Sequence, residues 1–296
     1  MDTSVTVEIV PPGADGADCA DAVERAFGWF AEVEARCSRF DPESELRRLA
    51  PQTGRPVVVS PLLLQAVGFA LKVAKASGGA FDPTVGRRQE ARGFDRNYRT
   101  GAAHPSGIDP DPTASWRDVR VNQSSSTITL RRPILLDLGA VAKGLAIDLA
   151  LHELGAFAGA AVEAGGDLAV RGTAPGGGLW RIGIRHPRRP EATCAVLAVS
   201  DAAVCTSGDY ERLAPTPDGG NHLLDPRTGR SVEGVASCTV VAPNAVMADA
   251  LGTAACVLGP AAAIPWLERQ GAEAMLLTPA LRRHTTPGFA RYEACL

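Results

Sequence analysis

The sequence predicts an α+β fold, and three observations carry that prediction. Apolar residues recur at helical spacing in several separate segments. Between and after them lie short alternating or β-branched runs bounded by glycine, proline and aspartate. The order of these segments mixes hairpins with helical crossovers and does not repeat a strand–helix–strand unit, which argues against a doubly wound parallel sheet. At 296 residues the chain can bury a substantial core as a single domain covering 1–296.

Residues 5–10, VTVEIV, alternate as a first strand, and 11–16 form a turn rich in proline and glycine. An amphipathic helix is expected over about 18–37, with a loop following at Arg39. A second helix, 61–76, sets Leu64, Val67, Leu71 and Ala74 at helical spacing and stops at Gly78 and Gly79, since glycine adopts the left-handed backbone that ends helices. Residues 86–116 are rich in Gly, Pro, Arg and Asp without a sustained period and read as a long loop. Short strands are expected at 119–121, 127–130 and 134–137, then a helix at 141–154. The remainder is strand-rich, with runs at 161–163, 168–170, 180–184, 195–199, 203–205, 223–224 and 237–241. Helices at 245–258 and about 261–270 precede a last strand at 274–277.

Composition narrows the function classes. A hydrophobic share of 45%, 21% charged residues and a net charge of -3 describe a globular chain. The arginine runs at 185–189 and 282–283 are too short for a phosphate-tracking surface, so nucleic acid is excluded as a partner. No run reaches the roughly 20 apolar residues of a membrane helix. The first residues show neither a basic and apolar leader nor a lipobox cysteine, so a cytoplasmic protein is expected. The seven cysteines are odd in number, scattered and free of CxxC pairs, which points to free thiols in a reducing compartment and away from zinc or a disulfide framework.

Candidate chemistry concentrates in a few motifs. In NAVMADALGTAACVLG, 244–259, Met247, Leu251, Ala254 and Leu258 form a core stripe, while Asp249 and Thr253 stand one turn apart on an otherwise apolar helix. Such hard oxygen ligands suit a shared magnesium ion, or else Asp249 caps or forms a salt bridge and Thr253 bonds back to its own helix. LLDLGAVAKGLAID, 135–148, leads through a glycine turn into a helix start where exposed amides and Lys143 suit a pyrophosphate; a plain connection with a surface lysine is the alternative. Gly165 and Gly166 in VEAGGD, with Thr206, Ser207 and Gly208 in CTSGDY, form backbone cradles for a flat or phosphorylated ligand, or ordinary hairpin turns. His222, in HLLDPRTGR, is one of five histidines and is either a proton acceptor or structural. Phe81 and Asp82, in GGAFDPTVG, either touch a ligand or shape a loop.

Taken in order, these pieces resemble the ApbE family of FAD:protein FMN transferases. MDT at 1–3, SRFDPESELRRL at 38–49, GGAFDPTVG at 78–86, DLGAVAKG at 137–144, AGGD at 164–167, TSGDYER at 206–212, HLLDPRTG at 222–229 and ADALGT at 248–253 fall in the family's sequence across nearly the whole chain. The resemblance implies an α+β fold related to the T-fold barrels, with mixed and antiparallel sheets, flanking helices and FAD in a cleft between two lobes. It implies magnesium held by Asp249, Thr253 and the main-chain carbonyl near Ala140. Phe81, Asp82, Gly165, Gly166, Asp167, Thr206, Ser207 and Gly208 would line the flavin and its phosphate, with Met1 toward the adenine.

The implied reaction is attack by a threonine hydroxyl of an acceptor protein on the FMN-side phosphorus of FAD, expelling AMP. Lys143 offsets charge and His222 serves as base. Water in place of threonine would make the chain a FAD pyrophosphatase, and loss of turnover would leave a FAD-binding protein. The family's acceptor motif is not evident in the chain, so transfer is expected in trans, from a monomer or a homodimer. Two departures stand out: Ala50 where asparagine is common, and GRRQEARGFDRNYRTG at 86–101 where a tryptophan and further glycines are common.

Overall fold

The chain is described here from a computed structural model, which covers all residues except 1–2, 12–16, 97–100, 110, 212, 214–219 and 296, and covers the backbone only at 17–18. In chain order its first half contains β1 (Val5–Val10), α1 (Ala17–Cys37), α2 (Glu45–Leu49), β2 (Val57–Val58), α3 (Pro61–Ala76), α4 (Gly86–Ala91), β3 (Val119–Asn122), β4 (Thr127–Leu130) and α5 (Gly139–Glu153). The second half contains β5 (Gly159–Ala164), β6 (Asp167–Gly172), β7 (Trp180–His186), β8 (Arg189–Val199), β9 (Ala202–Gly208), β10 (Ser237–Ala242), α6 (Ala245–Leu258), α7 (Pro260–Arg269), β11 (Glu273–Leu277), β12 (Arg283–Thr285) and β13 (Glu293–Ala294).

Seven strands form the central sheet in the order β1-β5-β6-β9-β10-β11-β12, antiparallel throughout. Alternation sorts its side chains onto two faces. Ala169, Cys205, Cys238, Val240, Ala274 and Leu276 pack with Phe30 of α1, Val67 of α3, Leu145 of α5 and Leu251 of α6. Val170, Val204, Val241 and Met275 point the other way, onto Trp180, Ile184 and Leu197 of the small sheet β13-β8-β7 and onto Phe289. With both faces covered, β10 is buried at every position, so its sequence is nearly unbroken in apolar character where an alternation would mark a half-exposed strand. A third sheet, β2-β4-β3, adds Val119, Ile128 and Leu130 to the helix-side core. The central sheet is open, with β1 and β12 at its edges, and no strands close it into a barrel among the described residues.

Helix ends follow local chemistry. The Ser60 hydroxyl accepts the Leu63 amide at 3.2 Å ahead of Pro61 in α3, and the chain leaves through Gly78 at φ 63°. In α6 the Asn244 side chain accepts the Met247 amide at 3.0 Å.

The structure corrects several expectations. Residues 134–137 belong to no strand: the Asp137 amide donates to the Pro83 carbonyl at 2.7 Å, and Gly86 packs so closely on Leu135 that a side chain there would strike its backbone. The expected loop 86–116 begins with α4, which has no apolar period and is held by its neighbours: Arg88 bonds the Pro226 carbonyl, and Gln89 Nε2 the His222 carbonyl at 2.7 Å. Residues 223–224 form only an isolated bridge, Leu224 to Ser231. Two short strands, β12 and β13, follow the strand expected to be last.

Candidate functional site

The turn into α5 is braced from three sides. Asp137 Oδ1 accepts the Gly139 amide at 2.8 Å, Asp137 Oδ2 accepts Arg39 Nε at 2.8 Å, and the Asp137 amide reaches Pro83. Arg39 is 7% exposed, so this is a largely buried ion pair. The helix then starts with a kink at Ala140, whose φ of -91° and ψ of 18° depart from helical values.

One turn on, the Lys143 ammonium lies between two carboxylates from different elements. It contacts Asp167 Oδ2 at the start of β6 and stands 3.4 Å from Asp249 Oδ2 on α6. The two acidic side chains are 4% and 8% exposed. Asp167 is further fixed by the Thr206 amide at 2.9 Å. Asp249 Oδ2 is buried without a hydrogen-bond partner. Thr253, one turn along α6, has its hydroxyl 3.5 Å from that of Ser207 on β9. Thr206 Oγ1 shares a hydrogen bond of 2.9 Å with Thr239 of β10. Beneath, burial and then the Asp249 carboxylate push the Cys205 thiol up, so it stays neutral.

Two buried carboxylates and one ammonium leave the site with an excess negative charge, and Asp249 Oδ2, buried 3.4 Å from Lys143 Nζ without a hydrogen bond, is the kind of group a second cation satisfies. No three His, Cys, Asp or Glu side chains cluster to hold a metal among the described residues. A bound ion would therefore rely on one carboxylate, the Thr253 hydroxyl, the Ala140 carbonyl and oxygens of its substrate. Hard oxygen donors few in number suit magnesium, which keeps sites for water and phosphate. The residues present fit the group.

Gly165 and Gly166 form the β5–β6 turn with φ of 60° and 90°, a left-handed pair that glycine alone takes without strain. They are exposed at the head of Asp167, and Glu163 accepts the Gly166 amide at 2.6 Å. Gly208 lies under the Tyr210 ring, with no room for a side chain. Phe81 is buried in the main core at 5% exposure. Asp82 accepts the Thr84 amide at 2.9 Å, the Thr84 hydroxyl at 2.7 Å and the Trp116 amide at 3.1 Å. Burial still raises its carboxyl above the usual range. His222 is half-buried and tied through its carbonyl to α4. Phe81, Asp82 and His222 thus sit around α4 and the turn before it, while Lys143, Asp167, Thr206, Ser207, Asp249 and Thr253 are joined by direct contacts. Met1 lies outside the described residues.

Arg39 and Asp137 were missed as participants, although both lie inside the resembling motifs. A buried arginine leaves no local periodicity, and its partner is 98 residues away. Asp148 was also missed; an acidic residue amid the apolar run GLAIDLAL carries the same signal that marks Asp249.

Fold and site together define a helix-backed antiparallel α+β protein with a lysine–dicarboxylate centre where α5, α6 and β6 meet. The model of the ApbE family matches residues 1–276, and the chain belongs to that family. It is 34% identical over 298 residues to the FAD:protein FMN transferase of Treponema pallidum, covering 90% of this chain and 80% of that protein. It is 33% identical over 263 residues to the FAD:protein FMN transferase of Rhodobacter capsulatus, covering 86% of this chain but only 49% of that longer protein. Among solved structures, the ApbE protein of Thermotoga maritima superposes with a TM-score of 0.85 at 26% identity, covering 99% of this chain and 100% of the other. The flavin transferase ApbE of Vibrio cholerae does so with a TM-score of 0.82 at 25% identity, covering 99% and 96%.

Proposed function

We propose that this chain is a FAD:protein FMN transferase, moving FMN from FAD to an acceptor protein with release of AMP, and that its length 1–296 works as one domain. The observation that carries the reading is the Lys143 ammonium held between Asp167 and Asp249, with Asp249 Oδ2 buried and without a hydrogen bond. Family membership supports the same activity.

Asp249, Thr253 and the Ala140 carbonyl would hold a magnesium ion, which supplies charge neutralisation at a pyrophosphate. The chain's own residues do the rest. Lys143 offsets the negative charge that grows on the phosphoryl oxygens, and Asp167 keeps it oriented. The left-handed glycine turn at 165–166, with the hydroxyls of Thr206 and Ser207, binds and orients the FMN half, leaving Phe81 and Asp82 to shape the wall and Met1 to meet the adenine side. His222 takes the proton of an acceptor threonine as its oxygen forms the new bond to the FMN-side phosphorus. The anhydride bond breaks and AMP departs with the bridging oxygen.

No helix among the described residues is long and apolar enough to cross a membrane. All seven cysteines are free, which supports a reducing, cytoplasmic setting. The test is incubation with FAD, magnesium and a panel of acceptor domains, with AMP measured beside covalent flavin fluorescence on a denaturing gel. A fluorescent acceptor band matched by AMP is expected. AMP with free FMN alone would make the chain a pyrophosphatase, and bound FAD without AMP would make it a binding protein.

A further inference from the structure

We propose that Asp148 is a positioning residue for the metal centre: its carboxylate, on α5, fixes the register between the α5 turn carrying Ala140 and Lys143 and the α6 turn carrying Asp249 and Thr253. The inference rests on the metal reading above. Asp148 Oδ1 accepts the Ala245 amide at 2.7 Å and Oδ2 accepts the Val246 amide at 2.9 Å. Both amides belong to the first turn of α6, where main-chain donors have no partner within their own helix. A single side chain therefore ties two helices at two points, which fixes rotation as well as separation.

The tie sits one turn from a close approach of the two helices. A side chain at Gly144, one turn before Asp148, would lie 2.6 Å from both the Ala245 carbonyl carbon and Val246 Cα. One turn further toward the start of α5 is Ala140. One turn further along α6 is Asp249, and the 3.4 Å between Lys143 Nζ and Asp249 Oδ2 shows that these turns lie together. A slip or twist at Ala245 and Val246 is carried by the rigid helix to Asp249 and Thr253.

Stability alone is a poor reason for a carboxylate here. α6 has its own cap in Asn244, which accepts the Met247 amide. Asp148 is largely buried, and that burial pushes its carboxyl up to about 6 despite both accepted amides. A charged acceptor kept against a desolvation penalty is explained by the geometry that its two oxygens impose.

The test uses the full chain with manganese(II) alone, its binding followed by the paramagnetic resonance of the free ion and its fold by thermal unfolding. Asp148→Asn keeps one acceptor but turns a donor toward the second amide. It should unfold within a few degrees of wild type and bind manganese about tenfold more weakly, as the loss of groups that orient ligands typically does. Asn244→Ala removes the cap of the same helix end without touching the tie. It should lower the unfolding midpoint and leave manganese affinity within about twofold of wild type. Asp148→Glu, one methylene longer, serves if the Asn variant does not fold, and should also weaken the ion. Wild-type affinity in Asp148→Asn or Asp148→Glu, or a loss in Asn244→Ala equal to that in Asp148→Asn, would overturn the proposal. Asp249→Ala separates the two levels: if it still binds manganese like wild type, the metal reading itself fails, whereas loss there with full binding in the Asp148 variants removes only the positioning role.

Discussion

Gly144→Ala should destabilise this protein even though it replaces glycine with the best helix former inside a helix. The added methyl would stand 2.5 Å from the Ala245 carbonyl oxygen and 2.6 Å from Val246 Cα. Ordinary carbon contacts lie near 3.5–4.0 Å, so α5 and α6 must part by about 1 Å. Both obstacles are main-chain atoms, so neither can swing away. Overpacking of this kind costs about 1–3 kcal/mol, against a helix-propensity gain of about 1 kcal/mol. Separation also stretches the two Asp148 bonds, so the net loss should be about 1–2 kcal/mol, or a fall of roughly 2–6 °C in the unfolding midpoint. Gly28→Ala is the matched control, since its new methyl on α1 meets nothing within 4 Å and should stabilise by about 0.5–1 kcal/mol. Urea denaturation of the three proteins side by side decides the matter. A Gly144→Ala protein as stable as the Gly28→Ala protein would show that the helices do not meet as described.

Arg39→Met should cost roughly 3 kcal/mol in urea unfolding, because Asp137 is left as a partly buried charge without its cation; a loss below about 0.5 kcal/mol would deny that the pair braces the α5 turn. For Asp148, burial raises the folded carboxyl from 3.8 to about 6, so the folded state binds the proton more tightly than the unfolded chain. Its contribution is therefore most favourable below pH 4 and is lost as pH rises toward and past 6. The stability of wild type relative to Asp148→Asn should fall by on the order of 3 kcal/mol over that range, and a pH-independent difference would contradict the burial argument. His222→Ala should slow transfer by about a hundredfold or more with FAD still bound, as removal of a general base does. An unchanged single-turnover rate would remove it as the base.

Much of the fold was legible because both periodicities are strong. β1, α3 and α6 fall at the residues their patterns mark, and the strands from β5 to β11 match at their centres, except that β8 starts six residues before the expected 195–199 and that 223–224 is only a bridge. The failures have physical causes. Residues 134–137, ILLD, are as apolar as a core strand, but their burial comes from packing on Gly86 and the core, and ladder partners are absent. α2 and α4 span 5 and 6 residues, too few for a period to show, and α4 is held by Arg88 and Gln89 reaching across to 222–226. β12 and β13 span 3 and 2 residues, too few for an alternation to show, and are defined by pairing with β11 and β8.

The candidate site was legible where a polar group interrupts an apolar helix, as at Asp249 and Thr253. Its partnerships were not. Nothing in AGGD tells that Asp167 meets Lys143, or in SRFDPES that Arg39 meets Asp137, because the packing that joins them is a tertiary property. Phe81 and Asp82 show the converse: their motif is distinctive, yet the phenyl ring fills the core and the carboxylate is occupied by Thr84 and Trp116.

The most direct test of the central claim compares wild type and Asp249→Ala for AMP release from FAD, with covalent flavin on an acceptor domain followed at increasing magnesium. Wild type should release AMP in step with acceptor labelling and require magnesium. Asp249→Ala should fold, and neither release AMP nor label the acceptor at any magnesium concentration. Wild-type turnover in that variant would contradict the account, since the lysine–dicarboxylate centre would then not be where the transfer occurs.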